Sequence, residues 1–380
     1  MPWIYWKAFH SPLCITRMST LPDIAVLIGT RKGLFIARSS GAREQFTLEG
    51  PHLAGYEIQR AFLDPRHDGR VGFAAAHHPI WGIHIYRSDN AGRDWQPLGA
   101  VPSHGDDDDE AHLKTIWGLA PGPEDSPDTI YAGIEPPGLF VSRDGGHSWS
   151  CLSAFQQHPT AELWHPAKGG CAVHSLHASG QRLYVALAAG GTYRSDDGGA
   201  SWEPCNRGVR APYLPGQDPV AGHNDHTLRM HPASPERLYR QSHTGTWRSD
   251  DGGRHWTEIT AGLPSDFGYA LGLDPANPDV LFTIPEDSSQ FRATVDGRLR
   301  VYRTEDAGRS WQALSRGLPQ SHCFVTVLRD GLDSDGLDPL GVYFGTSSGQ
   351  VYASNNRGED WQLLPAVLPP ILCIQAGAVR

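Results

Sequence analysis

Short stretches in which apolar and polar residues alternate, each bounded by Gly, Pro, Asp or Asn, run along the whole chain and predict strands rather than helices. Residues 114–122 (KTIWGLAPG), 128–135 (DTIYAGIE), 138–143 (GLFVSR) and 149–152 (WSCL) form one group of four, designated strands A to D. The same order recurs around residues 236–259 in ERLYRQSH, GTWRSD and WTEI, so each unit reads as a four-stranded antiparallel blade. Between strands C and D stands an eight-residue motif with six copies: Ser88 to Trp95, Ser142 to Trp149, Ser195 to Trp202, Ser249 to Trp256, Thr304 to Trp311 and Ser354 to Trp361. Their tryptophans lie 54, 53, 54, 55 and 50 residues apart, and a degenerate seventh copy fits at Ser39 to Phe46. Repeats of this length built from short strands predict a propeller.

The chain ends complete the count. The first clear strands, residues 24–30 and 33–39, have the character of B and C, and no A strand precedes them. After the last D strand, residues 371–379 (ILCIQAGAV) read as an A strand with no later blade to join. The expected fold is therefore all-β: a seven-bladed propeller whose C-terminal strand completes the N-terminal blade and removes the exposed edges. Residues 1–17 read as a disordered extension, with Met18 an alternative start, and 18–380 as one propeller domain.

In the motif, Asp or Asn at the third position and Gly at the fifth suit a turn in which a side-chain oxygen accepts backbone amides and one residue takes positive φ. The closing aromatic ring is expected to fold back into the blade, where its burial contributes roughly 2–3 kcal/mol. This pattern resembles the Asp-box, or BNR repeat, of sialidases, sortilin-type receptors and other carbohydrate-active propellers. With HPIWG at 78–82, YAGIEPPGLF, GGCAVHS, YRQSHTG, GLPSDFG and GRLRVYRTEDAGRSW, the whole chain resembles bacterial BNR proteins of the sialidase-like glycosyl hydrolase type. In those families the box is a folding element.

Composition narrows the function classes. A net charge of −10 and a pI near 6.0 disfavour nucleic acid, which needs a concentrated basic face. Six cysteines without CxxC spacing read as reduced thiols, the opening residues make a poor secretory signal, and no apolar run reaches transmembrane length. The expectation is a cytoplasmic protein that does not engage membranes. The acidic run Asp106 to Glu110 reads as a solvated link.

Antiparallel topology puts the motif turns and the A–B turns on one face, and the B–C turns and the links between blades on the other. The second face receives the long, chemically loaded segments: GHNDH at 222–226, residues 101–113, residues 153–170 and the insertion at 284–298. One register position around the ring, the end of strand B, offers Arg31, His78, Glu135, His243 and Glu286. Starts of A strands add His174 and His226, and the links add His165. Ionisable groups gathered at one end of a propeller are candidates for acid–base or metal chemistry.

Three readings follow. In a glycosidase-like reading, Glu135 and Glu286 are the two carboxylates, one acid and one base or nucleophile, with Arg31, Trp81, Trp117, His165 and Arg292 binding a small or carbohydrate-like substrate. The chain lacks the early Phe/Tyr-Arg-Ile-Pro motif that the resemblance to sialidases would require, and Arg31, Arg240 and Arg292 make only an incomplete carboxylate clamp, so a true sialidase is not expected. In the second reading His78, His174, His226 and His243 hold a divalent Zn, Mn, Fe or Cu ion. In the third the propeller is non-catalytic and binds a glycan, a peptide or an assembly partner.

Overall fold

The computed structural model describes residues 21–104, 112–166, 170–216 and 218–380; the expected extension at 1–17 and the acidic run at 106–110 lie outside them. The strands assemble into seven four-stranded antiparallel sheets. Six take their strands in chain order; the remaining one, blade 1, is ordered Ile371–Val379, Asp23–Thr30, Gly33–Ser39, Thr47–His52. Its A strand is the chain's tail, registered on strand B from Asp23 opposite Val379 to Thr30 opposite Ile371.

The other A strands are Glu57–Leu63, Thr115–Pro121, Val173–Ser179, Asp225–His231, Gly268–Asp274 and Leu332–Ser334 in blades 2 to 7. Each A strand packs on that of the next blade, and the last returns to the tail strand, so the A strands form a closed inner ring. Apolar layers fill the spaces between blades. One such layer joins blades 6 and 7 through Phe282, Ile284, Leu332 and Phe344.

The six motif copies share one turn. In the fourth-blade copy, Ser195 Oγ donates to Asp197 Oδ1 (2.8 Å) and accepts from the Gly199 amide (2.8 Å), while Asp197 Oδ1 accepts from the Ser201 amide (2.9 Å). Two consecutive residues take positive φ, not one as the sequence suggested: Gly198 at 71° and Gly199 at 94°. Ala91, Ala307 and Arg357 hold the first of these positions in other copies, at 59°, 59° and 62°. The turn therefore imposes a left-handed conformation that L-residues adopt only under external constraint.

That constraint comes from neighbouring segments. The amide of the fourth motif residue donates to the A–B turn of its own blade, as in Gly252 to Glu236 O (3.0 Å) and Ala307 to Asp279 O (2.9 Å). Its carbonyl accepts an arginine from the preceding blade: Arg38 to Ala91 O, Arg194 to Gly252 O, Arg248 to Ala307 O and Arg303 to Arg357 O, all at 2.7–3.0 Å. Each of these arginines directly precedes the Ser or Thr that opens its own blade's motif copy. Two of the closing tryptophans also cross between blades, whereas Trp95 and Trp202 donate to Gly92 O and Gly199 O of their own turns. Trp256 Nε1 donates to Cys205 O (2.9 Å) and Trp311 Nε1 to Ile259 O (2.8 Å), each just past strand D of the blade before.

Hydrogen bonds from Ser hydroxyls and backbone amides hold Asp144, Asp197 and Asp306 down to about 2. Depressed carboxylates contribute stability that is present above the unfolded value near ~4 and lost as pH falls through the folded one. Thermal unfolding followed by circular dichroism should therefore show the melting temperature dropping between about pH 4 and pH 2. Replacing all three aspartates by Asn should flatten that slope.

Candidate functional site

The site begins with an irregularity shared by the inner strands. Near the start of each A strand the ladder to strand B slips by one residue, leaving an extra residue on the A side. The extra residues are Leu372 in blade 1, Gln59 in blade 2, Trp117 in blade 3, His174 in blade 4 and His226 in blade 5. In blade 6, Tyr269 and Ala270 together oppose Ile284. In blade 7 the slip widens: Ser347 bonds Thr326 and Gly345 bonds Gly331, so residues 327–330, including Arg329, face little more than Thr346. A bulge re-aims a side chain that the pleat would otherwise direct across the sheet, and bulges are common beside active sites. Here one ring of bulges surrounds the end of the axis opposite the motif turns.

Four of these residues meet. Arg329 Cζ lies 5.2 Å from the Trp117 ring centre and 5.7 Å from that of Tyr269. His226 stacks on Tyr269 at 4.6 Å, and Phe267 and His243 close round it at 5.1 and 5.6 Å. Tyr213 leans on His243 at 5.7 Å, and Arg292 reaches over Phe267 and Tyr269 at 5.9 and 6.0 Å. Trp117 Nε1 donates to Glu135 Oε2 (2.9 Å). The cluster thus draws on blades 3, 5, 6 and 7.

Electrostatics divide this cluster sharply. Burial and the Arg329 charge push His174 down to about 3 and His226 well below its ordinary value, so both rings are neutral at pH 7. Their ring N–H groups have carbonyl partners: His174 Nε2 on Asp225 O (3.0 Å) and His226 Nδ1 on Gly268 O (2.6 Å). Glu286 is 1% exposed, and burial raises it to about 8. The Thr326 hydroxyl and Val327 amide lie near enough to favour its anion, but neither meets hydrogen-bond geometry, so both carboxyl oxygens stand unpaired.

Below the cluster, Asp330 joins Arg60 (2.5 Å) and Arg229 (3.3 Å), a tie between blades 2, 5 and 7. Burial opposes ionisation of Asp330, yet the two guanidiniums hold its carboxyl below the ordinary range. Beside the cluster, Asp225 and Arg240 form a fully buried ion pair. Thr192 donates to Asp225 Oδ2 (2.7 Å), Arg240 Nη1 donates to Asn206 Oδ1 (2.9 Å), and Trp256 lies under the guanidinium at 5.5 Å. This pair anchors the segment from which His226 projects.

Of the residues expected from sequence, Glu135, Trp117, His174, His226, His243, Glu286 and Arg292 fall in or against this cluster. Arg31 does not: it is exposed and pairs with Glu57 at 3.1 Å. His78 and Trp81 sit apart on the rim of blade 2, where Nδ1 of His78 accepts the Ile80 and Trp81 amides and Tyr56 packs on its ring at 5.1 Å. His165 is exposed in the link between blades 3 and 4. Among the described residues no three His, Cys, Asp or Glu side chains come together as a metal-ligating group, so the four-histidine set is not assembled. A cleft of about 460 Å³ on the motif face, lined by Arg87, Asp89, Asp144 and His147, is solvated and contains no member of the cluster.

Sequence reasoning missed Phe267, Tyr269, Tyr213 and Arg329. A shared leucine carries the signal for one of them: Leu119, Leu176, Leu228 and Leu271 each follow by two residues Trp117, His174, His226 and Tyr269.

No protein-family model matches the chain. A xyloglucanase from Paenibacillus sp. is 25% identical over 276 residues, 65% of this chain, which spans a quarter of that protein's length. An ancestral GH74 enzyme superposes with a TM-score of 0.55 at 16% identity, over 81% of this chain and 38% of its own. YCF48 bound to D1 peptide superposes with a TM-score of 0.51 at 15% identity, over 92% of this chain and 86% of its own. A putative 6-phosphogluconolactonase from Bacteroides fragilis gives 0.53 at 10% identity, over 93% and 98%. At these identities the superpositions show the propeller fold. No helix among the described residues is long and apolar enough to cross a membrane.

Proposed function

We propose that the bulge-ringed mouth is the active site of a glycosidase-like enzyme, with Glu286 as the proton donor and Glu135 as the charged partner. The observation that carries this reading is Glu286: a buried carboxyl group with two unpaired oxygens, raised to about 8 and so protonated at neutral pH. Glycoside cleavage needs two carboxyl groups in opposite protonation states, and burial is the ordinary way to keep one of them neutral. Glu135, half-buried and held by the Trp117 indole, is the second carboxyl group. Trp117, half-buried, and Tyr213, exposed, offer ring faces of the kind sugars stack on, while Phe267 and Tyr269 are buried. The similarity to a xyloglucanase supports a carbohydrate ligand, and the six uniform motif turns support placing the chain among BNR, Asp-box propellers of the sialidase-like type.

The test is hydrolysis of a panel of plant and bacterial polysaccharides by the wild type and by Glu286→Gln and Glu135→Gln. Activity should fall at least about 100-fold in each, the scale expected for losing an acid–base group, while oligosaccharide binding persists. Wild-type rate should decline as pH rises through about 8, where Glu286 loses its proton. An acid raised on folding also weakens the fold between its unfolded value and its folded one, so stability should fall across that window in wild type and not in Glu286→Gln. Unchanged rates in both variants would refute the assignment. A second reading, a non-catalytic propeller that captures a peptide at the same mouth, is favoured by the end-to-end superposition on the peptide-bound YCF48.

A further inference from the structure

Arg329 is a cation without a counterion. Its guanidinium makes no hydrogen bond and no ion pair with any described residue, and its Nε is buried and unpaired. Trp117 and Tyr269 lie at its sides, and the nearest acids are otherwise engaged: Asp330 by Arg60 and Arg229, Glu135 by the Trp117 indole. A second cation, Arg292, reaches the same Tyr269 ring, and among the described residues its guanidinium donates to Ser289 O alone, at 3.2 Å. The two guanidiniums repel one another, and the imidazoles beside them are neutral. In a chain of net charge −10 the mouth thus gathers two guanidiniums, and that of Arg329 donates to none of the described residues.

A half-buried guanidinium left unpaired by its own fold is costly unless something else pairs with it. The partner that fits best is a carboxylate, whose two oxygens match the planar fork of Arg. The half-buried Trp117 ring beside Arg329 suits a flat, partly apolar body attached to that carboxylate, as a pyranose ring provides. We propose that the mouth recognises an acidic sugar, a uronic-acid residue of a glycan, with Arg329 on the ring carboxylate and Arg292 as its second cation. This rests on the carbohydrate reading above and narrows it from glycans in general to charged ones.

Titration calorimetry with tetragalacturonate, with its methyl ester and with a neutral xylogluco-oligosaccharide tests it on wild type, Arg329→Lys and Arg329→Gln, each first shown to melt as wild type does. The expected result is binding of the free acid at least 10-fold tighter than of the ester. That preference should be lost in Arg329→Gln, partly kept in Arg329→Lys, and weakened by salt. Equal binding of acid and ester, or tighter binding of the neutral oligosaccharide, overturns the acidic-sugar assignment and leaves the glycosidase reading standing. If no glycan binds but a peptide with a free C-terminal carboxylate does, and Arg329→Gln abolishes it, the carbohydrate reading fails and the acidic-sugar proposal with it.

Discussion

A chain ending at Pro370 is expected to show no cooperative unfolding transition. The removed strand supplies the A position of blade 1, and Ile371, Leu372, Cys373, Ile374 and Ala376 within it are all buried. Burying the three large aliphatic side chains alone contributes roughly 5–9 kcal/mol, comparable with the whole stability of an ordinary domain. Truncation would also strip strand B of a partner from Ile24 to Thr30 and leave an apolar edge open to other chains. The ring has a second seam tie: Arg43 pairs with Asp335 at 2.9 Å, both buried, and the Tyr343 hydroxyl donates to the same carboxylate at 2.8 Å. One ion pair cannot replace a strand, so the expected products are a molten ring and aggregates. Adding a synthetic 371–380 peptide should restore protection of strand B amides to hydrogen exchange. A truncated chain that melts cooperatively would show that the tail is dispensable to closure.

Asp225→Ala is the point substitution with the largest expected effect, a loss of about 3–5 kcal/mol in urea unfolding, because it leaves Arg240 charged, buried and unpaired. Arg240 has Asn206 and the Trp256 face as its remaining partners, and neither carries a negative charge. Replacing both partners, Asp225→Leu with Arg240→Met, should recover much of the loss. Recovery should stay incomplete, since Thr192 and Asn206 would lose hydrogen-bond partners. A double-mutant cycle therefore should show strong favourable coupling. Independent, additive effects would mean that the pair is not holding the segment beneath His226.

How far the sequence foretold this molecule depends on which direction in space is asked about. Blade number, strand order and closure were legible because the motif tryptophans and the unpartnered segment 371–379 each permit one arrangement. Register also assigned residues to the correct face. It could not assign distance from the axis, which a shared register position does not fix. Arg31 and His78 share a register position with Glu135 and Glu286, yet they ended on the rim. The bulges were hidden for a related reason: an extra residue breaks the alternation by which strands are recognised, so Trp117, His174 and His226 were picked out by chemistry and register alone, and Tyr269 was passed over. Arg329 was missed because the slip in blade 7 is wider and carries it one place beyond the common leucine register. The second positive φ of the turn was masked by Ala91, Ala307 and Arg357, which occupy it without being glycine.

Each bulge residue stands outside the ladder of its own blade, and pairing resumes below it. Leu372, Gln59, Trp117, His174, His226, Tyr269 and Arg329 therefore behave as seven interchangeable letters set in a fixed frame. Exchanging one letter changes the lining of the mouth, and because Trp117, His226, Tyr269 and Arg329 pack on one another, a change at one of these four is felt by the others. A combinatorial library confined to these seven positions would vary the lining of the mouth while the blades that carry it keep their strand order.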